Sequence, residues 1–191
     1  MGVLFAVTAL LLGQITSATG LEPSPGVAFG TLLGLGSFTT YSWVTQFDSA
    51  DEYRRYPVSV AAVLAGKRRA YLLLSIPAGL VYLGLAAIWY DPVALVPGLA
   101  VLPLLSVYVF GATAFVAGLS PTELLFDTPR FLAFGAALSV VAMPLLVAAL
   151  VEPAFGSVAT VAAIALAVVA AVVGVVLGRR AGPRWERRLR D

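Results

Sequence analysis

The chain has 191 residues, 60% of them hydrophobic and 12% charged, where a soluble domain carries roughly 45 to 50% and about 25%. So little polar material cannot coat a water-exposed surface, and the composition places the chain in a membrane. A net charge of +2, from 12 Lys and Arg against 10 Asp and Glu, is too small for a nucleic-acid footprint, and the lack of any cysteine or histidine removes disulfides, thiol nucleophiles, zinc sites and imidazole-based hydrolysis.

In chain order, six stretches are free of Asp, Glu, Lys and Arg and long enough to cross about 30 Å of hydrocarbon as helices: 2–19, 26–46, 70–90, 93–118, 131–151 and 154–178. Barrel strands would be about 9 to 11 residues long and would alternate polar with apolar. The predicted fold is therefore an all-α, polytopic membrane bundle of six transmembrane helices forming one domain over 1–191. If the spans alternate, every basic residue falls on one side, in 47–69, 119–130 or 179–191, and the other side holds only Glu22, Asp91 and Glu152. The positive-inside rule makes the basic side cytoplasmic, with both termini there, in a plasma (inner) membrane. A cleaved signal peptide would share the small polar ending Ser17-Ala18-Thr19 of the first span, but its basic start is missing.

Local signals mark the span ends. Glu22-Pro23-Ser24-Pro25-Gly26, Asp91-Pro92 and Glu152-Pro153 read as tight external turns that place a carboxylate and an early proline at the start of the next helix. Ser120-Pro121-Thr122-Glu123 has capping-box spacing for a short cytoplasmic helix, and Asp127-Thr128-Pro129 opens the fifth span. Within spans, Pro77, Pro97, Pro103 and Pro144 favour kinks. The second span is the most polar, with Thr31, Ser37, Thr39, Thr40, Ser42, Thr45 and Gln46. Its Gly30-Thr31-Leu32-Leu33-Gly34 permits close helix approach, as Gly174 and Gly178 do in the last span. Tyr41, Trp43, Trp89 and Tyr90 read as interfacial anchors, Gln14 as a partner for a neighbouring helix, and the basic tail after Gly178, with Trp185, as a segment lying against anionic lipid.

The connection from Phe47 to Arg69 is longer than a helical hairpin needs. Asp48 can cap a short helix carrying Asp51, Glu52, Arg54 and Arg55. Pro57 can start a second helix, the elbow helix between spans two and three, which Gly66 ends ahead of Lys67-Arg68-Arg69. With Val58, Val60, Ala61, Val63 and Leu64, the elbow is too apolar to lie free in water, and either rests on the bilayer or packs on the spans or a partner.

The acidic pair Asp51-Glu52, then Pro57-Val58-Ser59, then an apolar run closing in Gly66-Lys67, all directly after a second span, resembles the first coupling region of ATP-binding-cassette exporter permeases of the type-two class. The resemblance is specific over about 20 residues and rests on the six-span count elsewhere. It implies a permease subunit that works as a homo- or heterodimer and docks a separate cytoplasmic ATPase through Asp51, Glu52, Tyr53, Arg54 and Arg55. Pro57, Gly66 and Lys67 would shape and border that contact, and the loop from Ser120 to Arg130 would form a second one.

No phosphate loop is present, since the only lysine sits in Ala65-Gly66-Lys67-Arg68. The chain itself is therefore expected to be neither an ATPase nor any other enzyme, with no cofactor or metal and with membrane lipids as its surroundings. The absence of ionisable residues at membrane depth argues against proton- or sodium-coupled transport, so the energy would have to come from a partner. The alternative is a membrane scaffold or assembly protein that holds a cytoplasmic partner on the same elbow without transport. A lipid-modifying enzyme is disfavoured, because Asp48, Asp51, Glu52, Glu123 and Asp127 show no metal or nucleophile spacing.

Overall fold

Where no water can satisfy backbone N–H and C=O groups, a lipid-embedded chain of this composition has to close its hydrogen bonds within helices. The computed structural model describes residues 1–46, 58–119 and 127–188, and the regular structure among them is helical throughout. In chain order the helices are α1 (Gly2–Thr19), α2 (Pro25–Gly36), α3 (Phe38–Thr45), α4 (Val60–Ala86), α5 (Pro92–Val116), α6 (Thr128–Phe155) and α7 (Ser157–Arg188). Five of these, α1, α4, α5, α6 and α7, are long and apolar enough to cross a membrane.

The predicted second span is split, which is why five rather than six helices qualify individually. At Ser37 the backbone N–H reaches Gly34 O at 3.2 Å, a tightened i→i+3 turn. Ser37 Oγ donates to Gly34 O and also pairs with the Tyr71 hydroxyl, which itself donates to Ser106 O at 3.1 Å. A small residue between Gly36 and Phe38, with its hydroxyl satisfied by α4, therefore permits the kink.

Asp91 and Asp127 cap α5 and α6 as expected, accepting from Val93 N at 3.0 Å and Arg130 N at 3.1 Å, with proline in the first turn of each helix. Two expected boundaries move. Gly66 does not end a helix: α4 starts at Ser59, whose Oγ accepts from Ala62 N at 3.2 Å, and runs unbroken to Ala86. The described part of the elbow is therefore the first turns of the same helix that forms the third span. A glycine stops a helix by turning left-handed. Among the described residues the glycines with positive φ are Gly20, Gly118 and Gly156.

Nor does Glu152-Pro153 form the turn between the last two spans. Both residues lie inside α6, which ends at Phe155 before Gly156 (φ 56°). Pro153 has no N–H to give the Ala149 carbonyl, and that carbonyl accepts from Ser24 N at 2.8 Å instead. A missing helix bond thus ties the α1–α2 turn to the end of α6.

α5 is the most enclosed of the five span-length helices and packs against α2, α4 and α7. Val27, Phe29 and Leu33 of α2, Leu83 of α4, Val101, Leu102, Leu105 and Val109 of α5 and Leu145 of α6 form the core. The expected Gly30/Gly34 approach is present: a Cβ on Gly30 would lie 2.9 Å from Gly98 Cα, and one on Gly34 2.9 Å from Leu105 Cβ. The outer surface is equally apolar, with Leu73 74% exposed, Val93 74% and Val140 71%. Such a coat is stable in hydrocarbon and not in water. α1 is the least embedded helix, and its first turn meets Gly36 and Tyr82.

Candidate functional site

Because α5 runs about 37 Å, its two ends define two poles of the molecule. At one pole Glu22, Asp91 and Glu152 surround an open cavity of about 620 Å³, together with Trp89 and Tyr90. The three carboxylates that the alternation of spans assigned to one side are thus gathered in space.

The basic clusters meet at the other pole. Lys67 Nζ donates to Val44 O at 2.7 Å, so this cation satisfies the carbonyl end of α3, where the helix dipole favours positive charge. Arg68 and Arg179 border one cleft. Arg130 pairs with Asp127 at 2.7 Å and sits 5.9 Å from the Trp185 ring, and Arg184 lies 4.2 Å from that of Phe115.

α7 closes this pole. Its basic segment continues the helix to Arg188 and packs against the end of α5. Trp185 Nε1 donates to Ala114 O at 3.0 Å, and its indole covers Gly118, where φ is 64° and a Cβ would overlap the ring. Gly182 leaves room for Ala61 of α4, whose N–H reaches Glu186 Oε1 at 3.4 Å. Beside this contact Tyr41, Tyr71 and Phe110 pack edge-to-face and tilted, with ring centroids 5.3 to 6.2 Å apart, and the Tyr41 hydroxyl donates to Gly118 O. Replacing Trp185 by alanine is expected to cost about 2 kcal/mol and to speed tryptic cleavage at Arg180 and Arg184 in detergent. Cleavage at the unaltered rate would show that the indole does not hold α7 down.

Of the residues expected to dock a partner, Asp51, Glu52, Tyr53, Arg54, Arg55 and Pro57 lie outside the described residues. Gly66 is exposed with open space around it, and Lys67 is half-buried against α3. Trp43 and Trp89 are largely exposed, as lipid-interface anchors would be, but Tyr41 is buried and belongs to the aromatic cluster. Gln14 is exposed and its side chain bonds no neighbouring helix. Of the second-span hydroxyls, Thr31, Ser37 and Thr45 are buried. Sequence reasoning missed Gly118 and Glu186. The Gly-Leu break at 118–119 and an acid within a basic tail were the only signals.

A helical bundle with a hydrocarbon-compatible coat and oppositely charged poles is an integral membrane protein. No family model, characterised protein or solved structure matches this chain.

Proposed function

We propose that this protein is the permease subunit of an ATP-driven exporter in the plasma membrane, with the basic pole facing the cytoplasm, where a separate ATPase docks on Asp51 to Arg55. α2 and α3 cross as one kinked span of about 31 Å and α1 adds the sixth crossing, so that both chain ends are directed to the cytoplasmic side. One observation supports this reading above the others: α4 is a single 27-residue helix that begins at Val60, five residues after Arg55. At about 40 Å, it is longer than the hydrocarbon it crosses. Displacement of its cytoplasmic end therefore reaches the buried Tyr71 with no break between, because the proline of this helix, Pro77, lies beyond it. A stiff rod is what a membrane subunit without ionisable groups at membrane depth needs if its energy comes from outside.

The test is charge reversal at both Glu52 and Arg55. Loss of a co-purifying cassette ATPase, with the protein still folded, is the expected result, and an undisturbed complex would remove the docking assignment. ATP-dependent efflux from vesicles then separates an exporter from a scaffold that binds the same partner without transport.

A further inference from the structure

We propose that the cleft between α4 and α7 at the basic pole binds the head group of an anionic membrane lipid. This site is independent of the exporter reading.

The cleft exists because α4 and α7 touch near their cytoplasmic tips, at Ala61 and Gly182, and then diverge. A Cβ on Gly178 would have only Gly111 Cα within 4 Å, at 3.8 Å. The space left is about 240 Å³, below the range of roughly 300 to 1,000 Å³ that takes a whole drug-sized ligand and suited to a head group. Its inner wall is apolar, made by the buried Leu64 and Phe110, and Arg68 and Arg179 stand on its two sides.

Three features choose the occupant. First, the two guanidinium groups come from different helices, and neither forms an ion pair with a carboxylate among the described residues. Glu186 accepts from the Ala61 N–H. Two arginines lining one cleft suit a phosphate, which accepts from a guanidinium fork at more than one oxygen.

Second, depth fits a lipid. Arg68 and Arg69 immediately precede the uncharged part of α4, and Arg179 immediately follows that of α7, so the opening lies at head-group level on the side where anionic lipid is enriched. Third, Leu64 and Phe110 offer the start of an acyl chain an apolar wall that a hydrated free anion cannot use. A zwitterionic lipid would bring a choline or ethanolamine cation against two arginines, and among the described residues that line the cleft there is no carboxylate to receive it.

The experiment titrates phosphatidylglycerol and phosphatidylcholine into the purified full chain in detergent and counts retained lipid by native mass spectrometry. Phosphatidylglycerol is expected to be retained at least tenfold better than phosphatidylcholine. The double variant R68Q/R179Q should lower that retention about tenfold or more. R180Q/R187Q removes the same charge from outside the cleft and should leave retention unchanged. Ala65→Phe, at an exposed cleft-lining position, adds bulk without altering charge and should also cause the loss. Added inorganic phosphate should leave the lipid in place. Equal loss in the two arginine pairs, retention untouched by A65F, or displacement by inorganic phosphate would each overturn the assignment.

Discussion

Replacing Gly174 by leucine is expected to be the most destabilising single change in the bundle, at about 3 kcal/mol or more. α5 and α7 approach so closely here that a Cβ on Gly174 would overlap Tyr108 Cα and lie 2.7 Å from Val107 O, while one on Gly111 would overlap the Gly174 carbonyl. These neighbours are backbone atoms of a helix in the core, and no rotamer change can move them aside. The helices would have to separate, losing dispersion contacts that lipid replaces only in part. Gly84→Leu is the control, because its position in α4 is exposed with nothing within 4 Å, and it should change stability by less than about 0.5 kcal/mol. Thermal unfolding of both variants in detergent decides the matter. If the two melt alike, the α5–α7 contact is not what holds the bundle together.

The second large effect is expected at Gly66, and there it is functional. Gly66→Pro removes the N–H that bonds Ala62 O and forces a ring against that turn, at about 3 kcal/mol or more for the helix. The loss stays local, because α4 is held on either side of the break by the Ala61–Gly182 contact and by the Lys67 bond to Val44 O. The bundle should therefore remain folded, and on the exporter reading proposed above a bound ATPase should be kept while ATP-driven efflux falls more than tenfold, since a break now lies between the docking segment and Tyr71. Gly66→Ala keeps the rod. It should retain efflux and gain about 0.5 to 1 kcal/mol, the propensity advantage of alanine over glycine in a helix. Efflux by G66P at the rate of the unaltered protein would show that force does not travel along α4, whereas a lost ATPase would point to the docking segment.

The charge pattern was legible in the sequence because it depends on which side of a membrane a loop occupies. Glu22, Asp91 and Glu152 needed no knowledge of packing to be assigned together, and they line one cavity. Asp91 and Asp127 were legible as caps because capping is settled within four residues. Gly66 and Pro153 misled for the opposite reason. Each is a helix breaker by propensity, and each is overruled by its surroundings, Gly66 by a helix running through open space and Pro153 by the Ser24 N–H that takes the freed carbonyl.

By itself, then, the sequence determined that this chain lives in a bilayer as helices and which ends of those helices share a side, since hydrophobic length and loop charge act segment by segment. Only the tertiary structure decided which helices meet. Gly174 has a small neighbour four residues away, but Gly111, its partner, is flanked at that spacing by Val107 and Phe115. The packing of Trp185 on Gly118, the burial of Tyr41 and the opening between Arg68 and Arg179 likewise arise from contacts between residues far apart in the chain. Close packing depends on the shapes of two surfaces at once, and a local pattern records only one of them.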